Sequence, residues 1–177
     1  MKNILIGFVA LLIFTGCKKE VEELPPATAT GANTFGLKLD GKFWVPQTFA
    51  GIDAPILKAQ LLGNDLRITA MNFASEPIET DFQLYLKNAT APGVYPLNQT
   101  TDIYPNVSAS YAYHVKRRIN PLNEWITGPA HTGSVTLTKL DLANGTVSGT
   151  FEFTAGSMDN SASPITVTEG RFDVKLQ

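Results

Sequence analysis

The residues able to do acid–base, nucleophilic or metal chemistry are few and scattered. The two histidines, His114 and His131, stand far apart, one in a strand-like run and one in a loop between Pro129 and Gly133. Neither lies at a metal-ligand spacing from another histidine or a cysteine, so both read as solvated or hydrogen-bonded side chains. There is no Gly-x-Ser-x-Gly elbow, no His-Glu-x-x-His, no phosphate loop and no dinucleotide fingerprint. The acids fall mostly at turns (Asp40, Asp65, Asp141, Glu169) or on the polar faces of strands (Glu152, Asp173). Glu79 and Asp81 form a pair two positions apart, which reads as solvated residues at a strand entry. Paired carboxylates hydrolyse glycosides, so a glycan-directed or other hydrolase with dispersed carboxylates stays open as the alternative function. No catalytic residue, metal ligand or cofactor is assigned.

Residues suited to contact rather than catalysis are concentrated in one segment. Between Val94 and Trp125 lie Tyr95, Tyr104, Tyr111, Tyr113 and Trp125, interleaved with asparagines and glutamine. Tyrosine and tryptophan offer large, stiff, amphipathic surface, and binding energy concentrates at buried Tyr, Trp and Arg. Trp125 lies outside the clean alternation, and Tyr104 sits in a loop-like run between Ile103 and Pro105. These two, with Tyr95, Arg117 and Arg118, are the candidate binding residues, and the expected partner is a glycan or an envelope protein. Tyr111 and Tyr113, two apart on one strand face, fit either a binding surface or a core. The run Lys116-Arg117-Arg118 is the only basic cluster in a chain of formal net charge −2, and nucleic-acid recognition needs a broad basic patch.

The elements that would position these residues are strands. From Thr34 onward apolar and polar residues alternate between turn signals, with almost no helical period. Asp40-Gly41 predicts a two-residue type I′ hairpin, which places Trp44 opposite Leu37. Trp44 then reads as a core anchor, with ligand stacking as its other use. Further strands are expected over 56–62, 66–73, 82–86, 107–115, 134–140 and 145–154. Two short strands, 165–168 and 171–176, flank a tight turn at Glu169-Gly170. A single helical turn fits near Asn120–Trp125 at most. One apolar and one polar face per strand marks antiparallel sheets wetted on one side. The expected fold is an antiparallel β-sandwich of about eight to ten strands, with a β-barrel as the alternative.

The domain is preceded by a targeting segment. Lys2 is followed by the apolar run Ile4–Phe14, shorter than the about 20 residues that span a bilayer and of the length of a signal-peptide core. Phe14-Thr15-Gly16-Cys17 resembles the lipobox of bacterial lipoproteins, with Phe14 where leucine is usual. That resemblance implies lipidation of Cys17, the single cysteine of the chain, after cleavage before it. Residues 1–16 are then a signal peptide, 17–33 the lipidated cysteine with a flexible, charged and proline-rich tether, and 34–177 one domain. With Cys17 lipidated, the domain has no thiol for a disulfide or a nucleophile. The implied location is the cell envelope, anchored to the outer membrane through lipid. Glu20, Glu22 and Glu23 resemble a surface-export signal of Bacteroidota lipoproteins, or form a plain charged linker.

The strand motifs carry a second resemblance. The segment from Phe35 to Pro46 (FGLKLDGKFWVP) is similar to the "xVNGKxW" opening hairpin of small, uncharacterised Bacteroidota lipoproteins. The segments 133–141, 147–153 and 169–174 look like that group's closing strands. The resemblance implies an all-β fold and an envelope location. It implies no activity or ligand. The function expected is a non-catalytic binding or adhesion module.

Overall fold

The computed structural model describes residues 21–48, 55–73, 79–117 and 123–177. Every regular element among them is a strand: β1 (Thr34–Leu39), β2 (Lys42–Trp44), β3 (Leu57–Leu62), β4 (Asp65–Asn72), β5 (Glu79–Leu86), β6 (Gly93–Pro96), β7 (Tyr111–Arg117), β8 (Asn123–Ile126), β9 (Gly133–Asp141), β10 (Thr146–Ser157) and β11 (Ile165–Lys175). All eleven belong to one antiparallel sheet that curls over on itself.

One half of the sheet runs β2-β1-β11-β10-β9-β6 and the other β8-β7-β5-β4-β3. β10 belongs to both. Its residues 146–153 pair with β9, while Gly156 and Ser157 pair with Ile126 and Trp125 of β8. Register shifts opposite Ser148/Gly149 and Phe151/Phe153 put the extra residue in its partners, β9 and β11, where a bulge kinks and over-twists the strand that carries it. On the far side the curl is partly closed. Ala59 bridges to Leu176, and Gln47 to Asn72; the Gln177 amide donates to the Ala59 carbonyl at 2.9 Å. The structure is thus a half-barrel whose two halves face each other across one core.

Local sequence accounts for the turns. Asp40 and Gly41 both take positive φ, 47° and 81°, as a type I′ turn requires. This sets Leu37 opposite Trp44, the register expected from the sequence. The β3–β4 turn has Gly63 at φ 66°, matching glycine at the first central position of a type II′ turn. Trp44 is buried and lies edge-on to Phe35 of its own half and to Phe82 of the other, at 6.0 and 4.8 Å between ring centroids. Its indole N–H donates to Thr80 Oγ1 at 3.0 Å. One side chain thereby ties the two halves together.

Three sequence expectations change. Residues 165–175 form a single strand, and Glu169-Gly170 is a bulge inside it rather than a turn between two strands. Glu169 takes φ 53° while the Phe151 ring packs on Gly170, where a Cβ would come within 2.4 Å of it. Trp125 belongs to a strand, β8, not to a loop or a helical turn. Finally, residues 28–32, read as tether, are a strap hydrogen-bonded to the domain. Asp173, 1% exposed, accepts from Thr28 Oγ1 at 2.6 Å and from the amides of Thr30, Gly31 and Ala32 at 2.9, 2.7 and 3.2 Å. Ser148 Oγ donates to the same carboxylate at 2.8 Å. The strap has no apolar period to betray it because polar bonds hold it. It also explains why Ser148 and Asp173, on the polar face of their strands, are buried.

Candidate functional site

The outer face of the second half carries the tyrosine-rich region. Odd positions of β4, β5 and β7 point away from the core, so Arg67, Tyr85 and Tyr111 form one cross-strand row. Thr69, Gln83, Tyr113 and Ile126 form the next. This face is not simply wet. Tyr85, Tyr111, Tyr113 and Val115 are buried in a second apolar cluster, with Ile103 and Val107 packed against it from the 97–110 loop.

Each buried phenol has a partner. Tyr85 donates to Asp65 Oδ2 at 2.7 Å, Tyr111 to Gln83 Oε1 and Tyr113 to Glu124 Oε1. Burial raises the pKa of Tyr85 and Tyr111 to about 12, with Asp65 adding to the effect at Tyr85. Burial and then the Glu124 carboxylate raise that of Tyr113 as well. All three remain neutral hydrogen-bond donors. At Asp65 burial favours the neutral acid, but the Asn88 amide, Tyr85 and Lys87 outweigh it and lower the pKa. These tyrosines are scaffold for the loop above them.

Tyr104 is the part of this assembly that faces solvent. It is 43% exposed, and three contacts hold it. Its backbone amide donates to the Tyr111 hydroxyl at 2.9 Å. The Arg67 guanidinium lies 4.5 Å from its ring centroid. Tyr85 packs at 6.3 Å. Arg67 donates through Nη2 to Gln60 Oε1 at 2.6 Å, while its buried Nε has no hydrogen-bond partner. A cation held against an aromatic face is attracted by the ring quadrupole. The result is an exposed aromatic ring backed by a positive charge that lacks a carboxylate of its own among the described residues. Arg67 and Gln60 were not legible as site residues, because an outward arginine in an alternating strand looks like ordinary surface.

The other expected binding residues are dispersed. Trp125 is 7% exposed and stacks on His114 at 5.3 Å, with its N–H donated to the Ser163 carbonyl at 2.9 Å. Its ring faces the core, so it offers no contact surface. Tyr95 lies on β6 in the other half, and its hydroxyl donates to the Ala91 carbonyl at 2.6 Å. Arg117 is engaged internally, 3.1 Å from Asp81 and 3.5 Å from Glu79. Arg118 and Cys17 lie outside the described residues.

The groups with chemical potential are likewise committed to structure. His114 is sandwiched between Trp125 and Phe82, the latter stacked at 4.2 Å. Its Nδ1 donates to the Asp81 carbonyl at 2.9 Å. Burial lowers its pKa to about 4, so it is a neutral core side chain. Asp81 is not solvated as its position suggested. Burial raises its pKa against the opposing effect of Arg117, and its Oδ1 is buried without a partner. Among the described residues no group of three or more His, Cys, Asp or Glu side chains could hold a metal ion. A polar groove of about 470 Å³ crosses the outer face of the first half, lined by Ser134, Thr136, Thr150, Glu152, Glu169 and Arg171. Within it Glu169 is paired with Lys38 at 2.5 Å and Arg171 at 3.8 Å.

The fold and this surface define a curled, antiparallel all-β domain with an aromatic patch on one outer face. The chain belongs to the family described as Domain of unknown function (DUF6252), which matches residues 33–174. A search of curated proteins and a search of solved structures each returned no match.

Proposed function

We propose that this protein is a lipid-anchored lipoprotein of the cell envelope whose domain is a non-catalytic binding module. Its contact surface is centred on Tyr104 and Arg67, and its partner is a glycan or an envelope protein. The observation that carries the binding reading is the presentation of Tyr104, an exposed ring immobilised by Arg67, Tyr85 and Tyr111. Holding a stiff aromatic side chain in place before binding reduces the entropy lost on association. The anchor rests on Phe14-Thr15-Gly16-Cys17 and the apolar run before it. In this reading the Cys17 thiol carries the lipid, and the anchor places the domain at the outer membrane.

The test is a glycan array probed with the intact lipoprotein, beside capture of envelope proteins after crosslinking. Binding lost on Tyr104→Ala, with unfolding unchanged, supports the module. Binding that persists in Tyr104→Ala removes this patch from the account. A second reading, hydrolysis, draws on Asp81, a buried carboxyl whose proton is held more tightly than usual beside Glu79. Glycan cleavage by the wild type that is abolished in Asp81→Asn would establish it.

A further inference from the structure

A second cavity lies at the start of the described chain. It is a groove of about 410 Å³, with Leu24, Val45, Pro46, Ile56 and Leu57 in its walls and Phe35 of the main core beneath. Its volume falls within the range of small-molecule sites. Glu23, Asn33 and Thr34 also line it, but most of the lining is apolar, which suits a ligand that makes few hydrogen bonds. A hydrocarbon chain meets that requirement, and a glycan does not.

The course of the strap supplies the occupant. Asp173 pins residues 28–32, and from there the chain runs back through Pro26, Pro25 and Leu24 to Val21, all of which line the groove. Cys17 is four residues before Val21, a span of at most about 14 Å. Tethering at this distance makes entry an intramolecular step with a high effective concentration. We propose that this groove receives one acyl chain of lipidated Cys17 when the protein is in water, away from a bilayer. The inference rests on the lipid-anchor reading above. Covering the chain removes apolar surface from water, which is the driving force. Transfer to a membrane then requires only that the chain leave a groove already open to solvent.

Cells are grown with a palmitate analogue bearing a diazirine, and the full lipoprotein is purified and freed of detergent. It is then illuminated and its crosslinks are mapped by mass spectrometry. The expected result is label on Cys17 with crosslinks within the same molecule to Leu24, Val45, Pro46, Ile56 or Leu57. Val45→Glu, and separately Leu57→Gln, should lose these crosslinks while keeping the label. Label on Cys17 with crosslinks only between molecules, or only elsewhere on the domain, overturns the groove proposal and leaves the anchor standing. Groove crosslinks unchanged in both variants also overturn it. Absence of label from Cys17 overturns the anchor and the groove proposal together.

Discussion

Individual side chains offer the sharpest tests of stability and chemistry. Trp44 touches both halves of the sheet, so Trp44→Ala should cost about 3–5 kcal/mol in equilibrium urea unfolding, the range for large aromatic truncations in cores. Trp125→Ala should behave alike, because its ring is enclosed by His114 and the Ser163 carbonyl. Tyr104→Ala should change stability far less, since its ring is half in solvent. Asp173 should contribute to acid sensitivity. Burial opposes its ionisation, but the bonds from Thr28, Ser148, Thr30 and Ala32 outweigh it, and its pKa lies well below the usual carboxylate value. A carboxyl whose pKa is depressed on folding stabilises the protein fully above the unfolded pKa of about 3.9, and loses that contribution as pH falls towards the folded value. The wild type should therefore lose stability progressively as pH falls below about 4, towards the folded pKa of Asp173, and Asp173→Asn should be less stable at pH 7 but flatter over that range. An equally steep fall in Asp173→Asn would assign the acid sensitivity to other carboxylates, of which Asp65 is the first candidate.

At the scale of elements, bulges and turns decide how the strands close. The Glu169-Gly170 bulge lets β11 stay paired with β1 and β10 along its length. A methyl group at Gly170 would meet the Phe151 ring at 2.4 Å and its carbonyl oxygen at 2.6 Å. Gly170→Ala should thus destabilise by about 1–3 kcal/mol, as overpacking does, measured by thermal or urea unfolding. What was legible in the sequence follows the same logic. Alternation revealed most strands, and Asp40-Gly41 fixed the first hairpin down to its Leu37–Trp44 pair, since those signals are local. Glu169-Gly170 was read as a turn because a glycine after a polar residue marks a bulge and a turn alike. β6 and β8, four residues each, are too short to show a period. Trp125 lies outside any clean alternation for that reason, and only its partners in β7 and β10 reveal it as core.

For the whole molecule, the curl gives one core and two outer faces, and the outer faces are treated differently. The first is crossed by the Asp173-bound strap, the second by the 97–110 loop with Tyr104 at its surface. The candidate site was half legible. Tyr104 stood out as an aromatic in a loop, whereas Arg67 lies 37 residues earlier in the chain and meets it only through the fold. The chain before the strap, from Val21 to Pro26, runs along the apolar groove. The measurement that tests this account most directly is metabolic labelling of cells with radioactive palmitate, comparing wild type with Cys17→Ser. The account predicts label in the wild-type protein, its recovery with the membrane fraction, and loss of both in Cys17→Ser. Label retained in Cys17→Ser, or a wild-type protein that takes up none, would contradict it.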